Sequence, residues 1–422
     1  MGSLLLKNVL HNGETTDVFI KNKIFSRIEP GLDPMLADKV IDGTDKAIIP
    51  PFYNGHTHSP MTLLRGYADD IPLFEWLNKY IWPMEKVMNA EDIYNGSRLA
   101  LYEMIRSGTV FFNDMYWQQD QTIRAVEKMG LKAAIGVTFM DGLGKKKIDE
   151  NFNYLDAHLS PDTLPEGITL TVAPHAIYTV GEDLLRRCAT YAAEHNLVFH
   201  IHLSETKQEV EDSVKAHGMT PVRWLEHIGA LEPQVVAAHV IHVDEEEFEI
   251  LARRDVTLVH NPVSNMKLCS GVFHFQKAQE AGCRYILGTD GCSSNNNLDM
   301  REEMKVAALV AKSRYKDVEL LPAATVFKMA TKWGAECFGL NSGKIAVGKA
   351  ADALLLDLNN ERMIPCYNLI SNCVYSADNS VIDTVICNGR ILMENHKVHG
   401  GAEIVALAKE SSIKMLERLK RQ

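Results

Sequence analysis

The sequence predicts an α/β chain, a (β/α)8 TIM barrel with a small β-sandwich domain formed from both termini. Three observations carry this expectation. The middle of the 422-residue chain alternates apolar, β-branched runs with helical stretches, the pattern of a parallel sheet covered by helices. Eight such runs occur, enough to close a barrel. The two ends share a different texture, short strands separated by turns. No G-x-G-x-x-G follows the first run, which disfavours an open doubly wound sheet.

Taken in order, residues 1–50 offer short strands at 4–9, 18–20, 24–28 and 40–42, with His11-Asn12-Gly13 and Asp42-Gly43 as turns. The texture returns at 352–358, 381–388 and 391–393, so residues 1–50 and 345–398 are expected to form one discontinuous domain. Residues 51–344 are expected to form the barrel, with strands at 47–53, 109–113, 133–139, 168–173, 198–202, 235–239, 256–260 and 285–290. Helices are expected between them, for instance at 90–107, 183–195 and 244–254. Residues 399–422 hold an amphipathic helix at 402–419.

Hydrophobic residues at 46% and charged residues at 23% fit a globular chain and argue against disorder or a fibrous class. A net charge of -11 argues against nucleic acid and anionic membranes as partners, while leaving room for a small nucleoside in a pocket. The eight cysteines show no C-x-x-C, which suits buried thiols in a reducing compartment better than a disulfide frame or a thiolate zinc site. The start Met1-Gly2-Ser3-Leu4-Leu5-Leu6-Lys7 lacks the basic region and apolar length of a signal peptide, and no run approaches the roughly 18 apolar residues of a membrane span. A cytoplasmic protein is expected. Either the terminal helix or the barrel helices could support a homo-oligomer.

The chemistry begins at Asn54-Gly55-His56-Thr57-His58. Residues two apart on a strand face one side, so both imidazoles can reach one ion, and Gly55 permits close backbone approach. An isolated H-x-H is more often two ordinary histidines; its company decides. Strand 5 ends in His200-Ile201-His202-Leu203-Ser204-Glu205, strand 6 in His239, and strand 8 in Gly288-Thr289-Asp290-Gly291. Those ends lie on the face of a barrel where catalytic groups gather. Imidazoles with a carboxylate suit a borderline divalent cation such as zinc, which activates water near neutral pH. Hydrolysis or hydrolytic deamination at carbon follows, with separate groups to take and give protons. By spacing alone, His200 and His202 are equally able to ligate.

The segments Pro51-Phe52-Tyr53-Asn54-Gly55-His56-Thr57-His58, Trp82-Pro83-Met84-Glu85, Ala173-Pro174-His175, His202-Leu203-Ser204-Glu205, Ala238-His239, His260-Asn261-Pro262-Val263-Ser264-Asn265-Met266-Lys267-Leu268 and Gly288-Thr289-Asp290-Gly291 go further. Through them nearly the whole chain resembles the amidohydrolase superfamily, a metal-dependent hydrolase barrel. The resemblance is to the branch of 5'-methylthioadenosine/S-adenosylhomocysteine deaminases. It implies one divalent metal per chain, zinc with nickel, iron or manganese as alternatives, held by His56, His58, His202 and Asp290. The H-x-x-E pattern selects His202 over His200. His239 is implied to hydrogen-bond the attacking water, Glu205 to shuttle a proton to a ring nitrogen and then to ammonia, and Asp290 to accept the water's proton. Glu85 and His175 are implied to contact ribose and base.

The implied reaction is deamination of an adenosine-type nucleoside: 5'-methylthioadenosine, adenosine, 5'-deoxyadenosine or S-adenosylhomocysteine. The competing expectation is hydrolysis at guanine, 8-oxoguanine or an s-triazine ring, which would leave Glu85 without hydroxyls to bind. One segment departs from the pattern: after strand 3 the chain reads Met140-Asp141-Gly142-Leu143-Gly144-Lys145-Lys146-Lys147, where relatives handling S-adenosylhomocysteine carry arginine. Lysine lacks arginine's bidentate fork, so the run is expected to be a solvated loop and the smaller nucleosides are at least as well supported as S-adenosylhomocysteine. Phe74, Trp76 and Trp82 are candidates for an aromatic wall, and Asn261, Ser264 and Asn265 for ordering the rim. A catalytically silent scaffold is disfavoured because Glu205 and Asp290 accompany the histidines.

Overall fold

In the computed structural model, which describes residues 2–421, eight parallel strands form the central sheet. They are β1 (Phe52–Thr57), β2 (Thr109–Tyr116), β3 (Lys132–Phe139), β4 (Ile168–Pro174), β5 (Phe199–Leu203), β6 (Val235–His239), β7 (Thr257–His260) and β8 (Arg284–Leu287), each paired with its sequence neighbour. Every residue of β2 and β3 is buried, as expected where helices cover one face and the barrel core fills the other. The seam between β8 and β1 is closed largely by side chains. The Thr289 amide donates to Asn54 Oδ1 at 3.0 Å, Asn54 Nδ2 donates to Thr289 Oγ1 at 2.7 Å, and the Asp290 amide donates to the His56 carbonyl at 3.0 Å. Gly55 lies on this seam, where a Cβ would stand 2.6 Å from Ile286 Cδ1. Close approach, the reason to expect glycine there, is thus to β8.

One expected strand is two. The run at 47–53 divides into Lys46–Ile49, which pairs antiparallel with Ala353–Asp357 of the terminal sheet, and β1, which starts the barrel. Pro50 and Pro51 between them have no amide hydrogen to continue a ladder. His56 therefore lies inside β1, and His58 just past its end.

Nine strands from the two termini make one mixed sheet: Leu4–His11, Glu14–Lys21, Ile24–Glu29, Lys39–Asp42, Lys46–Ile49, Ala353–Asp357, Ile382–Cys387, Arg390–Glu394 and Lys397–Val398. It encloses its own apolar cluster, including Leu6, Val18, Phe25, Ile48 and Leu355. The barrel is tied to it by a buried ion pair, Lys132 Nζ to Asp352 Oδ2 at 2.5 Å. The last helix, Gly401–Leu419, packs on Ala90–Arg106, with Asn95 Nδ2 donating to Ser411 Oγ at 3.0 Å.

The lysine run is not a loop. Lys145–Lys147 form the first turn of a helix, Lys145–Ala157, with their side chains exposed. Gly144, at φ +76°, makes the turn into it. Among the described residues no helix is long and apolar enough to cross a membrane.

Candidate active site

Four strand ends bring imidazoles and a carboxylate together. His56 and His58 come from β1, His202 from β5, His239 from the last position of β6, and Asp290 from the turn after β8. His58 Nε2 lies 3.3 Å from His202 Nε2, and Asp290 Oδ1 lies 3.4 Å from His56 Nε2 and 3.3 Å from His58 Nε2. Ligand atoms of His56, His58 and Asp290 fall within 4.8 Å of one another, as do those of His56, His202 and His239.

The far nitrogens of these rings are anchored. His58 Nδ1 bonds the Met115 carbonyl at 2.6 Å, and His202 Nδ1 the His175 carbonyl at 2.7 Å. His239 Nδ1 bonds Asn265 Oδ1 at 2.8 Å, and His56 Nδ1 pairs with His200 Nε2 at 2.9 Å. For His58 and His202 the partner is a carbonyl, which can only accept, so Nδ1 carries a proton and Nε2 is turned to the centre, the orientation a metal ligand needs. His56 Nε2 is buried without a hydrogen-bond partner. Such a buried orphan among imidazoles and a carboxylate fits a divalent cation held by nitrogen and oxygen.

Charge follows the same logic. Burial pushes His56 down to about 4 and His202 well below the ordinary histidine value, so both are neutral and able to ligate. Burial also opposes charge on His58 and Asp290, but their mutual hydrogen bond and attraction prevail. His58 rises to about 9 and Asp290 is held well below the carboxylate range. A cation entering here displaces that shared proton. Asp290 is gripped on both oxygens. Its Oδ1 accepts from the Gly291 amide at 2.8 Å, and its Oδ2 from Ser264 Oγ at 2.6 Å and Ser294 Oγ at 2.8 Å. Three residues at the strand ends, Ser204 (φ 49°), His239 (φ 74°) and Asp290 (φ 60°), hold left-handed backbone, the kind of local strain that clusters at working sites.

Glu205 Oε1 accepts from Ser270 Oγ at 3.0 Å, and its Oε2 lies 3.9 Å from His239 Nε2. Burial raises its pKa. The turn that presents it is held by Glu209, whose carboxylate accepts the amides of Ser204 and Glu205 at 2.9 and 2.7 Å. Burial lifts Glu209 to about 7.

One cavity connects these groups to Glu85 and His175, both of which line it together with His58, His202, Glu205, His239 and Asp290. Glu85 Oε1 accepts the Tyr116 hydroxyl at 2.8 Å, yet burial still raises Glu85 to about 8. His175 Nδ1 pairs with Thr179 Oγ1 at 2.9 Å, and burial pushes that ring to about 3. Of the expected aromatic wall, Trp76 and Trp82 line the cavity, while Phe74 sits behind it, edge-on to Tyr178 at 5.7 Å. Tyr116, Trp117 and Tyr178 line it too and escaped the sequence reading. The available signal for Tyr116 and Trp117 was position, since Tyr116 ends β2 and Trp117 follows it, as His58 follows β1. Ser264 bonds Asp290, Asn265 bonds His239, and Asn261 Nδ2 lies 3.5 Å from His239 Nδ1, so all three expected rim residues touch the site's own groups. The remaining wall is largely apolar, with Met61, Met115, Met140 and Leu268, and is interrupted by the hydroxyls of Thr138, Ser293 and Ser294. Neither Arg nor Lys lines this cavity among the described residues. Cys292 is fully buried and burial pushes its thiol up, so it is no nucleophile.

Comparison with known proteins gives three findings. A model described as the amidohydrolase family matches residues 47–392. Among curated relatives, the chain is 45% identical over 390 residues to a 5'-deoxyadenosine deaminase of Methanospirillum hungatei, covering 90% of this chain and 86% of that one. It is 42% identical over 391 residues to 5-methylthioadenosine/S-adenosylhomocysteine deaminase 1 of Archaeoglobus fulgidus, covering 92% and 90%. Among solved structures, an adenosine deaminase from Xanthomonas campestris with bound zinc superposes with a TM-score of 0.89 at 31% identity, covering 98% of each chain.

Proposed function

The chain belongs to the amidohydrolase family, and on that premise we propose that it hydrolytically deaminates an adenosine-type nucleoside to the inosine analogue and ammonia. One observation carries the reading: the cavity that exposes the imidazole and carboxylate cluster also holds a buried carboxylate, Glu85, set by Tyr116. A free base or triazine ring would leave that carboxylate without hydroxyls to bind, whereas vicinal ribose hydroxyls satisfy it.

His56, His58, His202 and Asp290 would hold one divalent cation, with zinc the best match to the donor set and to the zinc-bearing relative. That cation supplies Lewis acidity that lets water ionise near neutral pH. Asp290 Oδ1, the oxygen not taken by serines, accepts the proton from the attacking water. His239, fixed by Asn265, turns Nε2 into the cavity to orient that water. Glu205 protonates the ring nitrogen, takes the hydroxyl proton of the water-derived oxygen and passes it to the departing ammonia, and is reset by the proton held on Asp290, tasks suited to a carboxyl whose pKa burial raises. Water's oxygen ends on the ring carbon and its protons are divided between ring and ammonia. His175 contacts the base.

The largely apolar wall and the absence of a lining Arg or Lys support small uncharged 5'-substituents, as in 5'-deoxyadenosine, 5'-methylthioadenosine and adenosine, over S-adenosylhomocysteine with its charged tail. The test is ammonia release by metal-loaded protein from these four nucleosides and from guanine, 8-oxoguanine and s-triazines. Turnover of the nucleosides, with Glu85→Ala raising KM for them alone, supports the reading. Turnover of a ring without ribose and of no nucleoside overturns it.

A further inference from the structure

We propose that His200 is a positioning residue for the metal centre, one that sets which nitrogen of His56 carries its proton. The inference rests on His56 being a ligand. His200 alternates with His202 on one face of β5, is fully buried, and lies outside the clusters whose atoms converge on a common point. Its Nε2 meets His56 Nδ1 at 2.9 Å, with the rings 5.0 Å apart and nearly perpendicular, at 82°.

This pair differs from the anchors of the other two ligand imidazoles. His58 and His202 bond backbone carbonyls, which accept and never donate. An imidazole can do either. If His200 donates from Nε2, His56 must accept at Nδ1, and its own proton sits on Nε2, pointing into the cluster where it blocks ligation. If His200 accepts, His56 keeps its proton on Nδ1 and its Nε2 lone pair is free. The second arrangement moves the His200 proton to Nδ1, a buried atom with no hydrogen-bond partner. An unpaired buried donor is unfavourable, so the lone-pair state carries a penalty that the other avoids, since His56 Nε2–H there faces Asp290 Oδ1, 3.4 Å away. A cation decides between them, because only the second state offers it a lone pair. His200 thus couples metal binding to a proton shift across two rings, where a carbonyl would have locked the ring outright.

The test measures metal dissociation constants by chelator competition, without substrate, so the result stands apart from the question of which nucleoside is turned over. His200→Phe and His200→Leu remove the acceptor; whichever folds should bind zinc about ten- to hundredfold more weakly, the usual effect of losing a ligand's supporting partner. His200→Gln sets a carbonyl oxygen near the position of Nε2 and removes the unpaired Nδ1–H. It should bind zinc at least as tightly as the wild type and keep the visible spectrum of the cobalt-substituted protein, which the apolar variants alter. Unchanged affinity in the apolar variants overturns the proposal. An equal loss in His200→Gln and the apolar variants also overturns it, by making His200 a ligand itself. Unchanged affinity in His56→Ala removes the premise that His56 ligates.

Discussion

The Tyr116 hydroxyl donates to Glu85 Oε1 at 2.8 Å, joining the last residue of β2 to the short helix Trp82–Lys86 across the wall of the cavity. That hydrogen bond orients the Glu85 carboxyl in the wall, and losing it is worth about tenfold. Tyr116→Phe should raise KM for nucleosides by about that factor and change kcat less, in steady-state assays of ammonia release. An equal effect on kcat alone would place Tyr116 in the chemistry.

Glu85 also makes stability depend on pH. Its folded pKa, about 8, stands above the unfolded value near 4.5 because burial disfavours the charge. The folded state therefore binds more protons than the unfolded one between these values, and stability falls as pH rises from about 4.5 through about 8. Glu85→Gln removes that slope. Its melting temperature should exceed that of the wild type above about pH 8 and approach it near pH 5; a difference independent of pH contradicts the assignment.

Ser264 and Ser294 both donate to Asp290 Oδ2, leaving Oδ1 toward the histidines. Replacing either with alanine should lower kcat roughly tenfold while metal content stays at the wild-type value, since one charge-assisted bond is lost and another remains. The double variant should deviate from the product of the single effects because the two share one acceptor. Metal analysis together with kcat for the three variants checks this.

Chelation should destabilise the protein and metal return should restore it. A ligand bound only by the folded state adds about 2.7 kcal/mol when present at 100 times its dissociation constant, enough for a shift of several degrees in melting temperature. A melting curve indifferent to chelator contradicts a cation held at His56, His58, His202 and Asp290.

The barrel and the cluster were legible because strand periodicity placed His56, His58, His202, His239 and Asp290 near the ends of separate strands, where one barrel face collects them. Strand 1 was displaced because an apolar run cannot show where one sheet hands over to another; Pro50-Pro51 held that information. Ser294, Glu209 and Tyr178 were not legible. Ser294 grips Asp290 across a turn, Glu209 reaches back from a helix to two amides, and Tyr178 joins the wall only when the loop after β4 folds over it. The lysines misled in another way, since a helix start and a solvated loop share their composition.

The most direct test of the central claim is ammonia release from 5'-deoxyadenosine by metal-loaded wild type and by Glu205→Gln carrying the same metal. The expected result is conversion to the inosine analogue with one ammonia per nucleoside, and at least about a hundredfold slower release by the variant at unchanged metal content. A variant as fast as the wild type, or a wild type inert to every adenosine-type nucleoside, would contradict it.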